Sequence, residues 1–373
     1  MDEDDLPQAD QADGAPHPRE TPKLFGHDAV ESEVLAALTG DRAHHGWLLT
    51  GPRGIGKATL AWRMARFLLA DAPVDAGLFG EAPPPTSLDI DPDHPVAHRI
   101  AALSDPGCLL IRRAWDHDRK KLKSQITVDE VRKLNSFFGL SATDGGRRVV
   151  IVDSADEMNA SAANALLKVL EEPPKGATLI LVSHQPARLL PTIRSRCRVL
   201  RMAPLAPDAL AKALEQAGAQ PDNAAALSAL SGGSAGDALR VLAEDGVALY
   251  GQIIGLLDTC PQIDRMAIAA LAEKATARGA EARLDLLVRL LDLALTRLAR
   301  TGAGHPPEPQ ACPNEAEVMT RLSPSPAAAK TWAALQQELG ARIGHGRAVN
   351  IDPQSLVMDA FLKIAEAARQ TST

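Results

Sequence analysis

An α/β domain built on a parallel sheet, followed by all-helical domains, is the fold class this sequence predicts, and three observations predict it. Short apolar runs alternate with helix-period segments between residues 27 and 202. One of these runs leads directly into a glycine-rich loop and then a helix. Strand signals stop after about residue 203, and the rest is rich in alanine and leucine at helical spacing.

Residues 1–22 are acidic and proline-containing without periodicity, and are expected to be a disordered tail. Val30, Val34, Leu35 and Leu38 recur at helical spacing, and Gly40 closes that helix. Gly46–Thr50 is the first strand, and Leu60–Ala70 is the helix beyond the glycine loop. Residues 71–97, with Pro73, Pro83, Pro84, Pro85, Pro92 and Pro95, form an irregular excursion. Cys108–Ile111 is the second strand, and the mixed-charge stretch 112–123 follows it. Thr127–Phe138 is a helix with Thr127 at its N-cap and Glu130 three residues on, a capping box. Val149–Val152 is a third strand, continuous rather than alternating, as in a parallel sheet. Ser161–Glu172 is a helix stopped by Pro173 and Pro174. Thr178–Val182 and Val199–Met202 complete the strands. Beyond them lie two helical stretches, 207–245 and 250–368, the second interrupted by a proline-rich loop at 302–313.

The composition excludes several function classes. The 373 residues are 45% hydrophobic and 23% charged with a net charge of -7, so a freestanding nucleic-acid binder with a basic excess is not indicated. Cys108, Cys197, Cys260 and Cys312 contain no CxxC pair, so no metal site and no zinc are expected. No signal pattern and no apolar stretch approaching ~20 residues occurs, so a cytoplasmic protein without membrane contact is expected. The 112–123 cluster reads as a solvated loop before a DNA contact, and His44, His45 and Trp115 have no partners that would make a site.

The chemistry is concentrated in GPRGIGKAT, residues 51–59. Gly51, four residues, Gly56 and Lys57 match the P-loop through its lysine. Gly51, Gly54 and Gly56 let backbone N–H groups curl around phosphates, and Lys57 reaches the outer ones. Position 58 should carry the hydroxyl that holds Mg²⁺, and it is Ala58. Thr59 is about 100° further round the helix. P-loop ancestry follows from the flanking strand and helix; binding of ATP by the present loop stays open at this point. Asp153, ending the third strand, is the Walker B position for Mg²⁺. The next residue should be a glutamate that orients water; Ser154 stands there, and a hydroxyl is a poor base. Asp156 and Glu157 lie on the following turn, poorly placed to replace it.

HHGWLLTGPRGIGKATLA, ITVDEVRKL, AANALLKVLEEPP and SRC, in that order between residues 44 and 197, resemble successive landmarks of the bacterial clamp-loader AAA+ family. The resemblance implies a RecA-like AAA+ P-loop domain at 23–203, a helical lid at 204–248 and an all-α oligomerising collar at 249–373. It implies that Arg196, the SRC arginine, projects into a neighbouring subunit's ATP site, an effect worth ~10³–10⁵ in rate in related NTPases. Ser183 matches the position that contacts the γ-phosphate, or equally caps its strand. In active motors an arginine precedes a DAL triplet in the lid; GGSAGDAL places Gly236 there. The parts used in cis are thus degraded at Ala58, Ser154 and Gly236, and Arg196, used in trans, is kept. That division implies a stationary subunit of the DNA polymerase III clamp loader. Its partners would be ATP-hydrolysing and clamp-opening subunits and, through the assembly, a sliding clamp and primed DNA. The alternatives are an ATP-hydrolysing motor of the same loader, argued against by Ser154 and Gly236, and a nucleotide-binding switch. The cysteine-rich zinc module of many relatives is replaced by a proline run, with only Cys108 at its border.

Overall fold

The structure, a computed structural model, describes residues 7–12, 14–40, 44–70, 85–139 and 146–371. The acidic start at Asp2–Asp5 and residues 71–84 of the proline-rich excursion lie outside the described residues. The chain divides into two compact units, Met1–Ala219 with Ser234–Gly236, and Gln220–Gly233 with Asp237–Thr373.

The first unit contains the strands β1 (Gly46–Thr50), β2 (Cys108–Ile111), β3 (Trp115–Asp116), β4 (Lys121–Leu122), β5 (Arg148–Val152), β6 (Ala177–Ser183) and β7 (Arg198–Arg201). Five of them form one parallel sheet in the order β2–β5–β6–β1–β7, while β3 and β4 pair as an antiparallel hairpin. The helices are α1 (Asp28–Thr39), α2 (Lys57–Ala70), α3 (Pro95–Ala101), α4 (Val128–Gly139), α5 (Ala160–Glu171), α6 (Pro191–Arg196) and α7 (Pro207–Gln216).

Helices cover both faces of the sheet, and the period of two along each strand decides which residue goes where. Trp47 and Leu49 of β1 join Val34 and Leu38 of α1 and Leu60, Met64 and Phe67 of α2. Leu48 points the other way, among Val131 and Leu134 of α4, Leu166 and Leu170 of α5, and Ile193 of α6. β5 and β6 sort likewise: Val149, Ile151, Ile180 and Val182 on the first face, Val150, Val152, Leu179 and Leu181 on the second. A strand buried on both faces has no solvent side, which is why these segments read as continuous apolar runs. Being parallel, the strands bring Thr50, Ile111, Val152, Ser183 and Arg201 to one edge.

Three local expectations are corrected. Residues 7–12 and 14–22 are packed rather than disordered: His17 is 2% exposed and the Asp10 carboxylate is fully buried. Their acidity misleads because the partners come from elsewhere in the chain: Arg112 pairs with Asp10, and Arg63 and Arg66 donate to the backbone carbonyls of Pro22, Arg19 and Thr21. The capping box at Thr127 does not form; its hydroxyl is buried without a hydrogen-bond partner, and Glu130 pairs with Lys133 instead. The 112–123 stretch folds partly into the β3–β4 hairpin, where Asp116 accepts the N–H groups of Asp118 (3.1 Å) and Arg119 (3.0 Å). α5 starts as expected from a polar cap, Asn159 accepting the Ala162 N–H at 2.9 Å. α7 is tied to Lys23 through the Gln216–Lys23 hydrogen bonds and belongs to the first compact unit.

The second unit holds α8 (Ala224–Ser231), most of α9 (Ala235–Ala243), α10 (Gly246–Asp258), α11 (Arg265–Ala275), α12 (Glu281–Gly302), α13 (Glu315–Leu322), α14 (Pro326–Ala348) and α15 (Pro353–Thr371). Leu287, Leu290, Leu291, Ala294 and Leu298 of α12 recur at three- and four-residue spacing and are all buried. At the centre lies Glu315, 0% exposed, paired with Arg297 and accepting the Tyr250 hydroxyl proton at 2.6 Å and the Ala311 N–H at 2.6 Å. Among the described residues no helix is long and apolar enough to cross a membrane.

Candidate nucleotide site and the arginine at the opposite rim

The glycine loop leaves β1 at its C-terminal end and enters α2, as its sequence requires. Gly51, Gly54 and Gly56 have φ of 146°, 69° and 101°, a backbone that side chains rarely adopt. A Cβ on Gly51 would come within 2.3 Å of the Met202 carbonyl oxygen. One on Gly54 would lie 2.3 Å from Ser234 Oγ.

That second contact defines the state of the site. The Gly54 carbonyl accepts the N–H of Ala235 at 2.8 Å and of Gly236 at 3.3 Å, so Ser234–Gly236 rests directly on the loop. Lys57 is buried and turned inward, its ammonium donating to Gly51 O at 2.7 Å and to Pro52 O. Burial drives this ammonium down to about 8, against the pull of Asp153 and Asp156 and helped by Arg53. Thr59 is half-buried on α2, one position beyond Ala58. Arranged so, Lys57 spends its donors on the carbonyls of its own loop.

Asp153 follows β5, its N–H donating to Ile111 O at 2.9 Å. Burial raises its carboxyl to about 7, with Asp10 adding to the effect and Ser154 and Lys57 opposing it. Ser154 sits in the left-handed region, φ 55° and ψ 52°, and its hydroxyl lies 3.3 Å from Asp153 Oδ2 and 3.2 Å from His184 Nε2. Burial, with Lys57 and Arg53 nearby, lowers His184 to about 4, so the ring is neutral. Ser183, 0% exposed at the end of β6, stands beside Asp156, which also accepts the His184 N–H at 2.9 Å. Asp156 stays below the ordinary carboxylate range: burial opposes this, but those hydrogen bonds prevail. Glu157 is held by Arg53 of the loop and by Arg113 at 2.7 Å. Neither acid beyond Ser154 is free to act as a base.

The structure therefore brings together Gly51, Gly54, Gly56, Lys57, Asp153 and Ser183 at the C-terminal edge of the sheet. Residues not anticipated there are His184, Arg53, Arg113, Arg112 and Asp10. His184 follows Ser183 directly and was legible as a strand-end polar pair; Asp10, within an acidic stretch, carried no signal.

Arg196 is elsewhere. It ends α6, and its carbonyl oxygen would lie 3.1 Å from a Cβ on Gly46, the first residue of β1. β1 is five residues long, so its ends are about 16 Å apart. Arg196 thus stands on the rim opposite the glycine loop. Its guanidinium is 36% exposed and pairs with Glu171 at 2.7 Å, while Arg198 is tied to Glu33 at 2.9 Å and lies over the Trp47 ring. An ion pair this exposed is worth ~0–1 kcal/mol, so Arg196 is readily released.

A parallel β2–β5–β6–β1–β7 sheet with a glycine loop after β1 and an acid after β5 defines an AAA+ P-loop protein of the RecA-like kind. Residues 26–206 match the family model described as DNA polymerase III, delta subunit. The chain is 41% identical over 208 residues to the DNA polymerase III subunit delta' of Pseudomonas aeruginosa, covering 54% of this chain and 57% of that protein. It is 31% identical over 177 residues to the Escherichia coli subunit delta', covering 46% of each. It is also 30% identical over 298 residues to the Mycobacterium tuberculosis subunit gamma/tau, 73% of this chain and 48% of that one. The chain spans about half the length of the curated relatives it matches. A solved gamma subunit-related protein of Thermotoga maritima aligns with 91% of the chain and 100% of its own at 15% identity and a TM-score of 0.40. Over residues 26–206 the chain is thus similar to DNA polymerase III clamp-loader subunits of the delta-prime kind.

Proposed function

We propose that the chain is the stationary, delta-prime-type subunit of a sliding-clamp loader, acting in the cytoplasm within the DNA polymerase III holoenzyme. It lends Arg196 to a neighbouring ATPase subunit and does not hydrolyse ATP itself. The observation that carries this reading is the placement of Arg196 on the rim of the sheet opposite the chain's own glycine loop. An arginine there has no use in cis, and its pairing with Glu171 leaves it available to a neighbour docked on that rim. The cis side agrees: Ala58 offers Mg²⁺ no hydroxyl, Ser154 no base, and Gly236 no cation.

In this reading residues 23–203 are the AAA+ domain, 204–248 its lid, and 249–373 the collar that joins ATP-hydrolysing and clamp-opening subunits. The assembly opens a clamp and places it on primed DNA. The neighbour's nucleotide supplies the phosphoryl group that is cleaved, and the Arg196 guanidinium neutralises charge developing on it. The test is clamp- and primed-DNA-stimulated ATPase of the reconstituted loader with wild type or Arg196→Ala. Turnover should fall on the order of 10-fold or more while the complex still assembles. Unchanged turnover, together with ATP hydrolysis by the isolated chain, would make it a motor instead.

A further inference from the structure

The N-terminal segment was expected to be disordered, and the contacts of residues 7–12 and 14–22 are not those of a disordered tail. Arg66 of α2 donates to Arg19 O at 2.6 Å and Thr21 O at 3.0 Å, and Arg63 donates to Pro22 O. Both guanidiniums are under 9% exposed, so these carbonyls satisfy donors that water cannot reach. From this anchor the chain runs back along α2, where the His17 ring meets Trp62 edge-on at 6.4 Å. The Arg19 N–H donates to His17 Nδ1 at 3.1 Å, leaving Nε2 to carry the ring proton, 3.1 Å from Asp10 Oδ2. The buried Asp10 carboxylate also pairs with Arg112, and Gln8 accepts from Arg112 at 2.8 Å and from Arg19 at 2.9 Å.

Two further contacts locate this cluster. Arg112 directly follows Ile111, whose carbonyl accepts the Asp153 N–H, so Arg112 and Asp153 end neighbouring strands at the same edge. Ala12 lies against Gly236, 3.5 Å from where a Cβ would stand, and Gly236 in turn rests on Gly54. The segment therefore passes from the flank of α2, beside the loop-covering residues, to the acidic edge next to Asp153. That path runs beside the glycine loop, between Gly236 and the Asp153 edge.

We propose that residues 7–12 and 14–22 are a built-in cover of the nucleotide site, with Asp10 and Arg112 as its latch. The Asp10 carboxylate brings negative charge to the place where a triphosphate would bring its own. Nucleoside triphosphate and segment exclude one another by volume and by charge, and the loop opens to nucleotide only when the latch lets go. Asp10 remains ionised here, since His17 and Arg112 outweigh the effect of its burial, and its charge helps keep a proton on Asp153. The inference is independent of the role of Arg196.

The test is equilibrium titration of the full chain with a fluorescent ATP analogue and Mg²⁺. Asp10→Ala removes the latch but leaves the anchor at Arg19–Pro22 intact. It should tighten binding on the order of 10-fold or more, because apparent affinity scales with the uncovered fraction. Adding Lys57→Ala should abolish the gain. A second variant replaces the latch with a covalent one and controls the cover directly: Ala12→Cys with Gly236→Cys, whose Cβ separation of 3.5 Å suits a disulfide. In the Asp10→Ala background the oxidised pair should refuse the analogue and reduction should restore binding. Equal binding by wild type and Asp10→Ala, no binding by either, or indifference to oxidation would each overturn the proposal.

Discussion

At the scale of single residues, burial acts on Asp153 and Lys57 in opposite senses. Asp153 has a folded pKa of about 7, above its unfolded value of 3.8, so the native state binds the proton more tightly. Stability contributed by that proton is present below pH ~4 and is lost as pH rises towards 7. Lys57, lowered to about 8, titrates above this window. Asp153→Asn removes the buried charge without removing volume. It should stabilise the protein at pH 7.5 by roughly 1–3 kcal/mol and by little at pH 4, read from urea unfolding at both pH values. An equal gain at both would show that the titration of Asp153 is not its cause. The identities of Gly51, Lys57 and Asp153 were legible in the sequence because backbone freedom, a phosphate-length cation and a strand-end acid form a pattern. That Lys57 turns to the carbonyls of its own loop was not, since a pattern of residues does not fix a rotamer, nor was the contact of Gly54 with Ser234–Gly236, some 180 residues along the chain.

At the scale of elements, the strands and most helices of the first unit were legible because their apolar runs end at glycine, proline or a polar cap. The β3–β4 hairpin was missed for a physical reason: its residues are mainly charged, and Asp116 rather than packing organises the turn. The second unit shows the converse, a polar staple within helices that read only as apolar. Glu315 at the start of α13 joins Arg297 of α12 and Tyr250 of α10, and Arg297 also donates to Ala229 O at 2.7 Å. Burial, reinforced by Glu315, raises the Tyr250 phenol far above its ordinary range, so it stays a donor. Glu315→Ala would strand the Arg297 guanidinium, which is only 11% exposed, at a cost of about 3–5 kcal/mol in chemical denaturation. Arg297→Met added to it should recover part of that loss; no recovery would mean the helices, not the charges, set the cost.

At the scale of the whole molecule, the sheet separates two chemistries by its own length. The glycine loop lies at one rim and Arg196 at the other, so substitutions at the two should separate as well. Within the reconstituted loader, Lys57→Ala should leave stimulated ATPase within about twofold of wild type, whereas Arg196→Ala lowers it. A comparable loss from both would place the chain's own loop in the turnover. The resemblance was legible from motifs spread over residues 44–197, and the arrangement of residues 7–12 and 14–22 was not. Their partners Arg63, Arg66 and Arg112 are named in the sequence only as cations within a helix and a mixed-charge stretch.

The order of strands also governs the birth of the protein. β1 emerges early from the ribosome, yet its neighbours in the sheet are β6 and β7, and Thr50 bonds to Leu200, 150 residues further on. Until those strands are translated, Trp47–Leu49 and the apolar side of α2 have no sheet to join. Contacts so distant along the chain close slowly. The nascent first half is therefore a sticky intermediate and a natural client for a chaperone, and a message truncated before β6 would yield a polypeptide unable to complete its central layer.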